Sequence, residues 1–320
     1  MPVRFTSPSL GGQRESFFQA GEWQVGAAFR RLYASNWFVG TEKNEAAAPF
    51  GQPLYLNINS LDFSVTYGVT DRLSLTLTLP FSYGSHSRFY ADQQRHVVDA
   101  GGLGDISLIG NAWLLQPATH PTGNLALGIG VKTPTGSNEV IDNFYNADGS
   151  VGERVVDQAI QLGDGGWGIM LQAQAYRQVV PRVIAYVNAA YLLSLREHTN
   201  VPSPLSGVLL AVPDVYFVRA GLASAILPSV GLAASLGARL DGIPLRDLVG
   251  GGDDYFRRPG YTLYLDPGVS LRRGRNEMTL SIPLRLHQNF KQSLIDRQRD
   301  FRGGGDLADY LVFAAYSYRF

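Results

Sequence analysis

Apolar and polar residues alternate along most of the chain, in runs that are both regular and long. Between Leu73 and Phe81 every second residue is Leu or Phe, and the residues between them are Ser, Thr or Pro. The segments 230–241 and 278–287 follow the same pattern. Successive side chains of a β-strand point to opposite faces, so each run predicts a strand with one apolar and one more polar face.

The predicted strands are longer than those of soluble β-proteins. Each run covers about 10–14 residues, whereas a soluble strand averages about 5–6 and a tilted membrane strand needs roughly 9–11. The length favours a membrane barrel over a soluble β-sandwich, which would share the alternation. About twelve strands are predicted, with about ten or fourteen left open, at residues 22–33, 53–67, 72–84, 103–116, 124–134, 165–179, 183–196, 213–226, 230–242, 259–272, 277–289 and 307–320.

The connections between these strands alternate between short and long. Turns such as 180–182 alternate with polar stretches such as 135–164, as in barrels with short periplasmic turns and long extracellular loops. Lipid cannot satisfy an open sheet edge, so the strands must close into a ring. We therefore predict an all-β fold, a transmembrane antiparallel up-and-down barrel over residues 22–320. It is integral to the bacterial outer membrane, and a periplasmic or lumenal segment, 1–21, precedes it.

Aromatic residues lie at both ends of the apolar faces, at the headgroup level where amphipathic rings are favoured. The last run, Tyr310–Phe320, ends on a Phe at a position on the apolar face of the strand. Tyr316, Tyr318 and Phe320 in this run resemble the C-terminal signal of outer-membrane proteins. The resemblance implies that the barrel-assembly machinery is a partner of this chain.

Two sequence elements resemble those of a known family. The first is Gly104-Asp105-Ile106, and the second is the run Lys-Thr-Pro-Thr-Gly at 132–136. Together with the turn and strand at 67–80, they are similar to the family named for the MetA pathway of phenol degradation. The similarity runs from about residue 51 to the end. It implies an outer-membrane barrel that takes up aromatic or other small hydrophobic compounds, without catalytic residues.

Composition narrows the classes further. Charged residues make up 17% of the chain, below the roughly 25% of a soluble domain, and the net charge is zero. No window approaches the ~18 apolar residues of a membrane helix. The absence of Cys removes disulfides and thiol chemistry, and the balanced charge gives no footprint for nucleic acid. No signal peptide is visible in Met1–Phe18, so we infer a mature chain or a misassigned gene start.

The residues on the more polar face of each predicted strand form the candidate lumen lining. One interpretation is a weakly anion-favouring or dipolar pore, because rings of charge set selectivity. The other is that opposite charges pair across the lumen, because buried charges require partners. Small residues on the same face, such as Gly26 and Gly237, keep space open and favour a channel. Basic residues outnumber acidic ones in the candidate set, which comprises Arg30, Asp62, Asp105, Lys132, Arg196, Arg219, Arg239, Asp241, Asp266, Arg272, Arg285 and His287.

Candidates for metal binding or catalysis are weak. The longest loop, 138–166, is rich in Asp and Asn, but its spacing fits no EF-hand. We expect a solvated surface loop or one folded into the pore mouth. A barrel lipase needs a Ser activated by a nearby His, and the His-x-Ser-Asn-Gly run of such lipases is missing. We therefore expect no enzymatic activity, no metal and no cofactor.

Two functions from different classes remain. The first is a channel or facilitator for the passive passage of small solutes, aromatic or hydrophobic ones included. The second is a structural or accessory barrel, occluded by its loops, that binds or anchors a partner. Membrane lipid, lipopolysaccharide and a small-molecule solute are the expected partners, and a protein partner or a second copy of the chain stays open. Nucleic acid is not expected.

Overall fold

The alternating runs form the wall of a closed antiparallel β-barrel. The structure, a computed structural model, describes residues 17–203, 207–249, 254–306 and 308–320. Within these residues twelve strands build the wall: β1 Trp23–Ala34, β2 Tyr55–Gly68, β3 Leu73–Phe89, β4 in two segments (Arg95–Leu103 and Ser107–Trp113), β5 Gly123–Lys132, β6 Gly168–Val180, β7 Val183–Ser194, β8 Val215–Leu227, β9 Leu232–Ile243, β10 Gly260–Arg273, β11 in two segments (Asn276–Ser281 and Leu284–Phe290) and β12 Tyr310–Arg319.

Pairing between the first and last strands closes the ring. β1 pairs with β2 on one side and with β12 on the other, from Gln24 opposite Arg319 to Tyr33 opposite Tyr310. The predicted fold and strand number are confirmed. The clearest differences in bounds are at β3, which was predicted to end at residue 84 and continues to Phe89, and at β4, which was predicted to begin at residue 103 and begins at Arg95.

Two strands are interrupted, and proline lies at each interruption. In β4, residues 104–106 stand opposite Leu79 and Pro80 of β3, so one extra residue shifts the inward positions from even to odd numbers. In β11 the break falls at Ile282 and Pro283, between the two segments. Proline has no N–H to donate to a neighbouring strand, so it locally ends the ladder.

The outward face of the wall is apolar, with aromatic rings near its ends. Leu77, midway along β3, has 40% of its surface exposed on this face. The rings of Trp23 and Tyr67 lie 4.6 Å apart at the periplasmic end, and those of Tyr33 and Tyr310 lie 5.6 Å apart at the opposite end. An apolar band between aromatic girdles is suited to a lipid bilayer.

The long extracellular loops carry small elements of their own. Among the described residues, none of the helices is long and apolar enough to cross a membrane. The elements are two-stranded hairpins at Phe38–Val39 with Glu42–Lys43, Ile141–Tyr145 with Val151–Val155 and His198–Pro202 with Leu209–Ala211, 3-10 turns at Glu45–Ala47 and Pro49–Gly51, and a short capped helix at Leu294–Gln298.

Part of the longest loop enters the barrel. Residues 157–166, here called the inserted segment, place Ile160 at 2% exposure among inward side chains of several strands. Gly84 of β3 makes room for it, because a Cβ at this position would lie 2.8 Å from the Cγ2 of Ile160. Of the two expectations for this loop, folding into the pore is therefore the one observed for this segment.

The chain enters the barrel across its periplasmic opening. Residues 1–16 of the predicted N-terminal segment lie outside the described residues. The ring of Phe17 lies 4.9 Å from that of Trp113, which ends β4. The backbone carbonyl of Phe17 accepts a hydrogen bond from Nη1 of Arg319 at 2.8 Å. The Arg319 guanidinium stacks on the ring of Phe18 at 4.4 Å. This end of the lumen is therefore narrowed by the residues that lead into β1.

Candidate functional site

The barrel interior contains two chambers on opposite sides of the inserted segment. The inner chamber, toward the periplasm, has a cavity volume of about 180 Å³. The outer chamber, toward the extracellular loops, has a cavity volume of about 110 Å³. Ala159 of the inserted segment borders both.

The wall of the inner chamber formed by β1, β2 and β3 carries small hydroxyl side chains on β2 and β3, and we call it the hydroxyl wall. The Oγ atoms of Ser60 and Ser82 lie 2.8 Å apart, and the Oγ1 atoms of Thr66 and Thr76 lie 2.9 Å apart. These hydroxyls pair with one another across neighbouring strands and leave the space between the walls open. The inward hydroxyls of this wall are those of Ser60, Ser64, Thr66, Thr76, Thr78 and Ser82.

Four of the predicted lumen residues lie beside this chamber in two ion pairs. Nε of Arg30 on β1 lies 3.0 Å from Oδ2 of Asp62 on β2. Nζ of Lys132 on β5 lies 3.0 Å from Oδ2 of Asp105. All four residues line the inner chamber.

The Lys132 ammonium is held by more than one partner, and it joins the two family-like elements. Nζ donates to Oδ1 of Asp164 at 2.7 Å and to the carbonyl of Gly166 at 2.6 Å, both in the inserted segment. Oδ1 of Asp105 accepts from the backbone N–H of Gly136 at 3.0 Å. Asp105 lies at the break in β4 and Lys132 at the end of β5, so the cluster ties the inserted segment to the barrel wall.

The opposite side of the lumen, formed by β8, β9 and β10, contains buried guanidinium–carboxylate pairs, and we call it the charged wall. Arg219 pairs with Asp266, and both side chains are 1% exposed. Nε of Arg239 lies 2.9 Å from Oδ2 of Asp241. The Arg239 guanidinium also lies 4.8 and 4.7 Å from two phenylalanine rings. These four predicted lumen residues therefore lie inside the barrel with their charges matched.

The remaining predicted arginines also contact the protein. Nη1 of Arg285 lies 2.5 Å from Oδ1 of Asp309. Nη1 of Arg196, just beyond β7, donates to the carbonyl of Gly165 at 2.8 Å. Arg272 is half-buried near the periplasmic end of β10. Arg285 therefore fits the interpretation that charges pair with one another. Arg196 instead donates to the inserted segment and holds it in place.

The inward position predicted for His287 is not the one observed. His287 is exposed and stands opposite Leu263, whose side chain is on the outer face of β10. The register shifts here, because Arg285 stands opposite Tyr264 and Leu286 is left without a counterpart. This extra residue is a β-bulge, which moves the following side chains to the other face. Gln288 is the buried residue instead, at 2% exposure.

The outer chamber contains polar residues that we did not single out from the sequence. His86 and Arg88 lie on the inward face at the end of β3, in a stretch predicted as loop. Trp37, Arg258 and Asp306 come from three separate loops. The alternation of β3 continues beyond Gly84 and could have identified the first two. The loop residues carry no periodic signal.

Comparison with solved structures identifies the fold. An outer membrane channel from Pseudomonas putida F1 aligns over 99% of this chain and 100% of its own, at 15% identity and a TM-score of 0.68. The chain has the fold of an outer-membrane barrel. A Pseudomonas aeruginosa FadL homologue aligns over 93% of this chain and 90% of its own, at 9% identity and a TM-score of 0.45. A mutant of the TodX monoaromatic hydrocarbon channel aligns over 94% and 90%, at 10% identity and a TM-score of 0.43.

Sequence comparison adds no assignment to this fold. No family model matches the chain, and no curated protein matches it either. The closed wall, its apolar outer face and the shared fold place the chain in the outer membrane as an integral protein.

Proposed function

We propose that this barrel is a channel for the passive passage of small solutes across the outer membrane. The observation that carries the proposal is the unfilled interior, with chambers of about 180 and 110 Å³. Barrels of about eight strands are filled by their own side chains, whereas those of about sixteen enclose an aqueous channel. The Pseudomonas putida protein of the same fold is described as an outer membrane channel, which supports the proposal.

We infer that the solutes are small and largely apolar, aromatic ones included. The outer chamber offers apolar side chains from the wall and the loops, among them Leu32, Leu56, Phe256 and Phe290. The likeness of the Gly-Asp-Ile and Lys-Thr-Pro-Thr-Gly elements to the MetA-pathway family supports the same class. Membership of that family is part of this proposal.

Conductance and uptake test the channel function together. Purified barrel in planar bilayers should give small, discrete conductance steps. Cells that lack other aromatic channels should take up labelled toluene faster with this chain than with an empty vector. A wild-type barrel with neither conductance nor uptake would reject the channel function.

A second function, an accessory barrel that anchors a partner, is favoured by one observation. The inserted segment lies within the lumen, and Phe17 and Phe18 lie against its periplasmic end. A barrel occluded at both places would conduct neither ions nor solutes. Affinity capture from the outer membrane, combined with absent conductance, would support this function over the first.

The remaining proposals concern assembly and domain organisation. We propose that Tyr316, Tyr318 and Phe320 form the signal for the barrel-assembly machinery, and that residues 22–320 form one barrel domain after a segment at 1–21. The exposed ring of Phe320 lies 5.0 Å from that of Tyr318, which is consistent with a recognisable C-terminal surface.

A further inference from the structure

The outer chamber contains a group of buried polar atoms without hydrogen-bond partners among the described residues. They are Nε1 of Trp37, Nδ1 of His86, Nε of Arg88, Nη1 of Arg258 and Oδ2 of Asp306. All five residues line this one cavity. Trp37 and His86 are only 6% and 4% exposed. Buried polar groups in native proteins are normally paired, so the hydrogen bonds of unpaired ones around a cavity are completed by water or by a ligand that enters it.

The charges around this group are balanced. The guanidinium group of Arg88 lies within electrostatic range of the carboxylate of Asp157, and that of Arg258 within range of the carboxylates of Asp296, Asp157 and Asp306. Oδ1 of Asp157 also accepts a hydrogen bond from the N–H of Ala159 at 2.9 Å. Among the residues that line the chamber, three guanidinium groups, those of Arg88, Arg257 and Arg258, face three carboxylates, those of Asp157, Asp241 and Asp306. The lining therefore leaves no excess positive charge for an anionic ligand.

The rest of the chamber suits an apolar body. Leu32, Leu54, Leu56, Ile243 and Phe290 line it together with the polar group. Its cavity volume of about 110 Å³ is of the same order as the cavity of roughly 150 Å³ that holds benzene in an engineered protein. The chamber thus has room for one ring or a short chain.

We propose that the outer chamber binds a small apolar solute that carries one neutral hydroxyl group, an inference that rests on the channel function proposed above. The hydroxyl hydrogen donates to Oδ2 of Asp306, and the hydroxyl oxygen accepts from Arg88, Arg258 or Trp37. A hydrocarbon leaves these atoms unpaired. A carboxylate adds a further negative charge and has no hydrogen to donate to Asp306.

Three probes of similar size test the assignment: benzyl alcohol, toluene and benzoate. Calorimetric titration of the whole barrel in nanodiscs, with empty nanodiscs as the blank, should give about tenfold tighter binding for benzyl alcohol than for the other two. Asp306→Asn removes one negative charge, so it should weaken the binding of benzyl alcohol severalfold and strengthen the binding of benzoate. Asp300→Asn, an exposed carboxylate of the same loop, should change neither affinity.

The outcomes separate this site from the channel function. Equal affinities for benzyl alcohol and toluene would overturn the hydroxyl site, since water alone would then satisfy the polar group. An unchanged affinity for benzyl alcohol in the Asp306→Asn barrel would overturn it as well. Trp37→Phe, which removes one donor and keeps a ring, supplies a second variant if Asp306→Asn does not fold. If benzyl alcohol binds as expected but the barrel shows neither conductance nor uptake of toluene, the site is supported and the channel function fails.

Discussion

The two walls of the lumen use polar residues in opposite ways. On the hydroxyl wall, short Ser and Thr side chains pair with one another, as Ser60 does with Ser82 at 2.8 Å, and a chamber stays open beside them. On the charged wall, Arg219 of β8 reaches the carboxylate of Asp266 on β10, and Arg239 pairs with Asp241 of its own strand and lies against an aromatic ring, so these long side chains fill the space. Both walls obey the same alternation of polar and apolar positions. Side-chain length and the need of a buried charge for a partner decide which side is open.

The largest expected effect concerns the pair at the centre of the charged wall. Arg219→Met should lower the free energy of unfolding by about 3–5 kcal/mol, because it leaves the buried carboxylate of Asp266 without its partner. The double variant Arg219→Met with Asp266→Leu should recover most of the loss, since no charge remains. Urea titration of barrels folded into lipid vesicles measures both. Equal losses in the single and double variants would mean that the arginine acts by packing alone.

A smaller effect is expected where the hydroxyl wall meets lipid. Leu77→Arg should lower the free energy of unfolding by about 2–4 kcal/mol, because a guanidinium would lie near the midplane of the bilayer. Thr76→Arg, on the neighbouring residue that lines the inner chamber, should cost much less. Folding yield into vesicles and urea titration report the difference. If both variants lose the same free energy, the faces assigned to β3 are wrong.

The inserted segment separates the chambers, so displacing it should change conductance more than stability. Gly84→Val places side-chain atoms where Ile160 now lies, since even a Cβ would be 2.8 Å from it. We expect a severalfold larger single-channel conductance. Gly152→Val is the matched control, because the nearest atom to its Cβ is a flexible side-chain nitrogen at 3.9 Å. An unchanged conductance in the Gly84→Val barrel would mean that the constriction lies elsewhere.

The strands and the faces of most side chains could be predicted from the sequence because both follow from a period of two residues. Arg30, Asp62, Arg219, Arg239 and Asp266 lie inside the barrel as their parity indicates. The period of two residues predicts the wrong face for the side chains that follow an extra residue in a strand. One such residue puts His287 on the outer face, and another reverses the inward positions of β4 after Leu103.

The partners of these residues were harder to predict. Pairing between neighbouring strands can be guessed from their order, but the bonds from Lys132 to Asp164 and Gly166 depend on a loop that enters the lumen. The outer chamber combines the end of β3 with several loops distant in sequence. Only the tertiary fold brings such residues together, so no local pattern reports them.

The smallest expected effect is on ion selectivity, and it separates the two walls most directly. Arg239→Gln with Arg285→Gln should barely shift the reversal potential under a salt gradient. Neither Arg239 nor Arg285 lines the two chambers, and Arg239 is only 2% exposed beside its partner Asp241. Arg30→Gln should shift the reversal potential in the direction of cation selectivity, most clearly in dilute salt, since Arg30 and its partner Asp62 line the open chamber. A large shift from the first variant and none from the second would show that ions pass along the charged wall.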